Sequence, residues 1–437
     1  MRRYGFLVFP TGVACTVALT LVPGLTGGSA GAEPASAAGS AAVPGSTRSL
    51  PLAPLTRDPA PARGPDLARD PARGAVLEQG LRRTDVRHFS LAGVVWDDPE
   101  TELHGTVRIR TRSAATGVWS GWQDLDTHSA DHGADPGTAE GTSGRVHGAT
   151  APLWVGDCDG VDVRVRADVA GRGPAARPVP LPSGLRVELV DPGAPPLVRG
   201  FASGATDIPA LDRADTEREL LARPGGEPSE QRRARSHVGA RPRIVTRRGW
   251  GADESLRERG FVYTKKVKVA FVHHTASGNN YSCAQAPAVI RGIYRYHVRS
   301  MGWRDIGYNF LIDKCGNIYE GRAGGVTKPV LGAHTRGFNS DSMGIAVLGT
   351  YGTSKPSSAA VTALARLTAW KLGRYGMNPR GKTYLTSAGG NLYQKGKRVR
   401  LNVISGHRDA LRTDCPGRRL YGKLGTVRSA AARYQGR

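Results

Sequence analysis

The stretch Lys268–Thr275, KVAFVHHT, limits the fold more than any other part of the chain. Its run Val269-Ala270-Phe271-Val272 is uninterruptedly apolar, as a fully buried strand requires. Side chains alternate along a strand, so His273 and His274 must point to opposite faces and only one can serve a shared site. Far downstream a second strand, Leu401–Ser405, runs into Gly406-His407-Arg408-Asp409 and then Thr413-Asp414-Cys415-Pro416-Gly417. Two imidazoles and one thiolate at separate strand and loop ends are the donors a catalytic Zn²⁺ requires, with the fourth position left to water.

Taken singly, a histidine ending a strand also reads as a structural hydrogen-bonder, and a cysteine beside proline as a small buried hydrophobe. A blue-copper His₂Cys site is a further metal reading, but no methionine sits in the Cys415 loop to serve as its axial ligand. A structural zinc site would want four protein ligands, and near Cys415 only Asp409 and Asp414 are at hand.

At 437 residues the chain has room for two domains and extensions, and its formal net charge of +24 favours a polyanionic partner. No nucleic-acid motif accompanies that charge, so an anionic envelope polymer is preferred and no nucleic-acid partner is expected. Met1-Arg2-Arg3-Tyr4, the apolar run Phe6–Val22 and Ala30-Gly31-Ala32 form a secretory signal over residues 1–32. Pro10 and Pro23 interrupt the run, which argues against a membrane anchor. Residues 33–79 are rich in Ala, Pro, Gly and Ser, lack apolar periodicity and are expected to form a disordered spacer.

From residue 80 to 193 the texture changes to short alternating runs separated by Gly, Asp and Pro, among them His88–Trp96, Gly105–Arg112, Val161–Arg166 and Leu185–Leu189. This predicts an all-β, sandwich-like domain of antiparallel strands with arginines on the solvent faces. Trp119 and Trp122 suit either a polymer-binding surface or the core. Residues 194–242 lose periodicity and end in Arg232, Arg233, Arg235 and Arg241, a basic linker able to adhere to anionic wall polymers.

Density returns over 243–437. A helix is predicted over Pro287–Val298, a hairpin from Tyr308–Asp313 and Ile318–Gly321, and a strand at Gly344–Gly349. A helix runs from Ser357 to Tyr375, capped by Ser357 and stopped at Gly376, and Tyr384–Arg400 forms a further hairpin. Strands alternating with long helices make this an α/β domain with a central mixed sheet flanked by helices, large enough for a core of its own.

VHHTA at Val272–Ala276, DIGYNFLID at Asp305–Asp313, YEGR at Tyr319–Arg322, GAHTRGFN at Gly332–Asn339 and GHRDALRTDCPG at Gly406–Gly417 resemble, in family order, the peptidoglycan recognition proteins. Bacterial members of that family are type-2 N-acetylmuramoyl-L-alanine amidases. The resemblance implies Zn²⁺ held by His273, His407 and Cys415, hydrolysis of the amide between muramic acid and L-alanine, and a hydrogen bond from Tyr308 to the water or the developing oxyanion. Thr413 stands where similar phage-type amidases carry lysine, which leaves the proton donor open. His334, Arg336 and Asn339 lie on a loop suited to the peptide-stem groove, although a purely turn-forming role fits them equally. His274 and His297 are expected to pack in the core.

In a secreted protein Cys283 and Cys315 should pair, which leaves Cys415 as the metal thiolate and Cys158 unmatched in the β domain. The expected product is a monomeric, extracellular, wall-associated zinc amidase acting on peptidoglycan, with no membrane anchor. The alternative is a recognition protein that binds peptidoglycan without cutting it; such members typically lose the zinc cysteine, and Cys415 is present.

Overall fold

The computed structural model describes residues 45–55, 78–127, 131–170, 177–194, 205–221 and 237–437. The expected signal at 1–32 lies outside them, as do Arg232, Arg233 and Arg235 of the basic linker. Among the described residues no helix is long and apolar enough to cross a membrane.

The N-terminal part is all β. Its long strand, Leu153–Ala167, pairs through its first residues with Phe89–Trp96 and through its later ones with both Glu78–Arg83 and Gly105–Ser113. One strand thus joins two sets of neighbours, and the sheet folds over a single core. Val161, Val163 and Val165 alternate inward onto Val107, Ile109, Val94 and Trp96, all fully buried, while Arg164 and Arg166 stay outside. Each buried branched side chain contributes about 1.5–3 kcal/mol relative to exposure.

The spacer expected at 33–79 is partly structured. Ser46–Pro51 forms an edge strand paired antiparallel with Arg186–Asp191, and Ala53–Pro54 pairs with Glu78–Arg83. Composition hid this strand because it carries proline, which an edge strand tolerates where its missing N–H faces no neighbour. The linker expected at 194–242 likewise contains structure. Asp207–Ile208 pairs with Ile244–Val245, and the helix Arg213–Leu221 follows, with Ile208 and Leu220 against the core of the next domain. Arg241 is held by Glu219 at 2.6 Å and Arg243 by Asp207 at 2.7 Å, so these two arginines serve the fold.

The C-terminal part is built on a seven-stranded mixed sheet. Val269–His274 is the strand next to one edge, every residue buried, between parallel neighbours Ser342–Val347 and the edge strand Ile404–Gly406. Phe310–Ile312 and Ile318–Glu320 form the expected hairpin. On one face Ala270, Val272, Ile345 and Val347 meet the helices Ser358–Gly373 and Leu424–Tyr434. Ser357 caps the first of these, its hydroxyl accepting from Ala360 N at 3.1 Å. On the other face lies Ala286–Arg295, continued by a wider turn over Tyr296–Ser300. The Cys283–Cys315 disulfide ties the entry of that helix to the hairpin turn, and Cys158 is a buried free thiol. Lys382–Thr386 and Arg398–Asn402 form the second hairpin.

The helical segment Ala286–Ser300 is covered on its outer side by the N-terminal sheet. Leu91, Val95, Trp154 and Val190 join Val289, Ile290, Ile293 and Tyr296 in one apolar cluster. The Tyr296 hydroxyl donates to the Thr150 carbonyl at 3.1 Å and lies 3.4 Å from that of Val94. Gly93 makes this approach possible, since a Cβ there would fall 2.4 Å from the Tyr296 hydroxyl. Residues 126–147, between the N-terminal strands Gln123–Leu125 and Gly148–Ala149, contain no strand or helix among those described. They leave their own sheet and lie over the C-terminal domain.

Candidate metal centre

Parallel pairing places the two predicted histidines side by side. Val272 stands opposite Gly406, so the next residue on each chain is His273 and His407, and their rings lie 4.5 Å apart between centroids. The loop after His407 turns back ahead of Pro416, with Arg408 N donating to the Cys415 carbonyl, and brings the Cys415 Sγ to 3.7 Å from His273 Nδ1. His274, on the opposite face, accepts from Tyr351 N at 3.2 Å through Nδ1 and takes no place in the cluster.

A fourth donor arrives from outside the domain. His132, on the segment that crosses over from the N-terminal sheet, has its ring 4.5 Å from His407 and 5.3 Å from His273. One ligand atom from each of His132, His273, His407 and Cys415 can be chosen so that all four lie within 4.8 Å of one another, a group able to hold a metal ion. Tetrahedral zinc, with Zn–N near 2.0 and Zn–S near 2.3 Å, needs donors about 3.3–3.6 Å apart, so the cluster is slightly expanded relative to that arrangement.

Hydrogen bonds fix which nitrogen each ring presents. His407 Nε2 donates to the carbonyl of Asp131 at 3.2 Å, while its Nδ1 is buried without a partner. His273 Nε2 meets Thr335 Oγ1 at 3.3 Å, and the same hydroxyl meets His334 Nδ1 at 2.9 Å. His273 therefore turns Nδ1 towards Cys415. Both ring nitrogens of His132 are buried and unpartnered although the residue as a whole keeps some exposure. Unpaired buried imidazole nitrogens are costly, and a cation between them would satisfy them.

The electrostatics agree with that donor set. Burial, then the facing His407, holds His273 well below the usual imidazole value; burial, then His132, does the same for His407. Burial lowers His132 to about 4. These rings are neutral at neutral pH, as ligation needs. Burial pushes the Cys415 thiol up, so its proton must be displaced by a bound cation.

Tyr308 and Thr413 share with Cys415, His132 and His297 a cavity of about 20 Å³ of water-accessible space. The Tyr308 ring lies 5.5 Å from that of His273, and burial together with Cys415 raises its hydroxyl pKa and keeps it protonated. Thr413 Oγ1 accepts from Cys415 N at 3.2 Å and so shapes the thiol loop. His297 stacks on Trp303, 4.4 Å between centroids, and accepts from Gly307 N through Nδ1.

The three residues expected to line a peptide groove are not on an open surface. His334 is fully buried behind His273, in a slot where a Cβ on Gly344 would come within 2.3 Å of its ring. The Asn339 side-chain amide donates to Asp135 Oδ1 at 2.6 Å and to the Gly133 carbonyl at 2.9 Å. Arg336 pairs with Glu100 at 2.6 Å, and its N–H donates to the Asp131 carbonyl at 3.1 Å. All of these partners belong to the N-terminal part.

Residues 263–418 match the family described as N-acetylmuramoyl-L-alanine amidase, and residues 36–183 match that described as Rv3811 N-terminal galactose-binding domain-like. Peptidoglycan-recognition protein SC2 of Drosophila simulans is 34% identical over 185 residues, which cover 42% of this chain and 85% of that protein. The chain belongs to the peptidoglycan-recognition protein and N-acetylmuramoyl-L-alanine amidase family. An N-acetylmuramoyl-L-alanine amidase of Sus scrofa is 32% identical over 189 residues, 42% of this chain and 27% of that protein. Among solved structures, Drosophila PGRP-LB wild-type aligns at 26% identity with a TM-score of 0.34, covering 42% of this chain and 92% of that one. The peptidoglycan-recognition domain is thus preceded here by a galactose-binding-domain-like part, and it is this part that supplies His132 and the partners of Arg336 and Asn339.

Beyond the metal cluster, the N-terminal sheet carries Trp119 and Trp122, partly exposed between arginines. Arg110 lies 5.4 Å from the Trp119 ring and 4.9 Å from the Trp122 ring, with Arg82 and Arg164 flanking. They stack at the surface, so the core placement is not what the structure shows.

Proposed function

We propose that the protein is a secreted, wall-associated zinc amidase that hydrolyses the amide bond between N-acetylmuramic acid and L-alanine in peptidoglycan. In this reading residues 1–32 are the signal, 80–193 an accessory domain, 243–437 the amidase domain of a monomer, and 194–242 a basic connection towards anionic wall polymers whose residues 207–221 pack on the amidase domain. The observation that carries it is the convergence of His273, His407 and Cys415, with neutral rings and two nitrogens held by Thr335 and Asp131 so that the others face inward.

Zinc held there supplies Lewis acidity, polarising the scissile carbonyl and making water nucleophilic near neutral pH. The chain's own residues do the rest. Thr335, backed by His334, fixes the orientation of the His273 ring, as residues behind a ligand generally do. Tyr308, protonated and lining the same cavity as Cys415, donates a hydrogen bond to the oxygen on which negative charge develops. Thr413 holds the Cys415 loop and lines the cavity in which the proton given up by the attacking water passes to the leaving amine.

Recognition without hydrolysis is the second reading, favoured by how little space remains beside Tyr308. Zinc titration of the metal-free protein, followed by a search for free L-alanyl peptide after incubation with muropeptides, separates the two. One zinc per chain is expected, with peptide release, measured with His132 present and with His132→Ala, that vanishes in Cys415→Ser. A zinc-loaded protein that binds muropeptide and releases nothing in either His132 background leaves only recognition.

A further inference from the structure

The segment Asp131–Glu140 makes a series of polar contacts with the C-terminal domain. His132 reaches the metal cluster with both ring nitrogens buried and unpartnered. The Asp131 carbonyl accepts from His407 Nε2 and from Arg336 N. Asp135 accepts from Gly337 N at 2.8 Å and from the Asn339 amide. Glu140 closes on Arg322 with two bonds of 2.8 Å, both groups buried, and accepts from Arg304 N at 3.1 Å. The contacts with Arg336, Gly337 and Asn339 take up donors on the loop where the sequence places the peptide groove.

We propose that Asp131–Glu140 is an intramolecular plug: His132 fills the fourth donor position of the metal site and Asp135 and Glu140 occupy the groove, so that the intact chain is latent. The inference rests on the zinc reading above and deepens it. A catalytic zinc keeps one position open, whereas a site with four protein donors is closed and structural in character. His132 converts the first into the second. The conversion is reversible because His132 belongs to a segment without helix or strand, anchored by side chains and a few backbone groups, while the other three donors sit on the sheet and its adjoining loop. Beside the plug the cleft persists as a cavity of about 310 Å³ between Asp135 and Glu140 on one wall and Phe261, Arg322 and Leu331 on the other, so displacing the plug extends a groove that already exists.

Two distinct losses follow from displacement. Without His132 the metal gains an exchangeable position. Without Asp135 and Glu140 the groove donors of Asn339 and Arg322 become available to a ligand. The first concerns coordination and the second substrate access, so they can be read separately.

The test uses the full chain loaded with Co²⁺, whose visible absorption reports ligand number, and azide as the probe of an open position. The wild type should show a four-coordinate spectrum unmoved by azide. His132→Ala should respond to azide and lose metal affinity by at least about 10- to 100-fold, the range seen when groups that merely support a ligand are removed. Asp135→Asn combined with Glu140→Gln keeps every metal donor and serves as the second arm. It should raise the affinity of the metal-free protein for N-acetylmuramoyl-pentapeptide and render the 131–140 segment sensitive to protease. A wild type that binds azide as readily as His132→Ala, with equal metal affinity, overturns the plug while leaving the zinc reading intact. A wild type that binds neither Co²⁺ nor Zn²⁺ overturns both. Unchanged pentapeptide affinity and protease resistance in the double variant overturns the groove-filling half.

Discussion

His407 and Asp131 are joined by a hydrogen bond of 3.2 Å from a ring nitrogen at the end of the central sheet to a backbone carbonyl of the other domain. The bond selects the tautomer of His407 and leaves Nδ1 for the cluster, so the accessory part helps prepare the metal site even as it covers it. On the readings proposed above, activity and latency depend on the same segment, and substitutions along it should separate the two.

Tyr308→Phe removes one hydroxyl and leaves the ring, the four donors and the Thr335–His273 contact in place. Turnover on an exposed muropeptide should fall by about 10²–10³, or about 2.7–4 kcal/mol, as when an oxyanion donor is lost, with zinc stoichiometry unchanged. Steady-state kinetics beside metal analysis read the difference. Normal turnover removes Tyr308 from the chemistry.

Glu140→Ala leaves the buried Arg322 guanidinium without its carboxylate, held only by the carbonyl of Ile306 and by long bonds to those of Asp305 and Leu331. Burial alone would raise the Glu140 pKa, but the charge and hydrogen bonds of Arg322 outweigh it and hold the carboxyl below its ordinary value. Breaking a buried pair from one side costs about 3–5 kcal/mol. Glu140→Gln should cost less, because its amide oxygen still accepts. Denaturant midpoints for the two variants give the comparison, and equal midpoints for Glu140→Ala and the wild type would show that the pair holds nothing.

How much of this was legible in the sequence follows from where the information is stored. Val269–Val272, the Ser357 cap and the two hairpins are local patterns, and each element appears where its pattern lies. His273, His407 and Cys415 could be grouped because their motifs sit at strand and loop ends of one domain. His132 could not, since nothing local to Asp131-His132-Gly133 says that a loop of the β domain crosses to another sheet. The available signal was length: a long stretch without periodicity between two strands is uncommon in a compact domain unless it does something. Ser46–Pro51 was hidden differently, by its Pro-rich surroundings and by Pro51, which an edge position tolerates.

Acid should loosen the fold through His297. Burial, aided by the positive potential of His132 and Arg322, lowers its pKa to about 3, and its Nδ1 accepts from Gly307 N, so the folded state holds it neutral. A depressed imidazole pKa means that the unfolded chain binds the proton first. Stability is full above about 6.5 and is lost as pH falls from there towards about 3, by up to about 4 kcal/mol. His297→Gln should flatten that part of the profile at some cost in stability at neutral pH. Thermal midpoints measured across this window on metal-free protein give the slope, and an unaltered slope in the variant assigns the acid lability elsewhere.

The last prediction concerns whether the C-terminal domain stands alone. Its sheet and helices suggest a core of its own, yet Tyr296 is fully buried only because Val94, Thr150 and the Gly93 backbone cover it, and Leu91 packs against Gly292. Cutting the chain before residue 243 would uncover this side of the Ala286–Ser300 segment and leave an apolar patch in water. The full chain should therefore unfold in one calorimetric transition, and residues 243–437 alone should bind a hydrophobic dye and associate. Gly93→Ala probes the same interface without cutting: its Cβ would meet the Tyr296 hydroxyl, which must move and give up its bond to Thr150, at a cost of about 1–3 kcal/mol. Since the plug segment leaves the same N-terminal sheet, a shifted interface should also lower its protection from protease. Two separate transitions in the wild type, or a monomeric and dye-free 243–437 fragment, would mean that the two domains are merely tethered and that the plug is held by its own polar contacts.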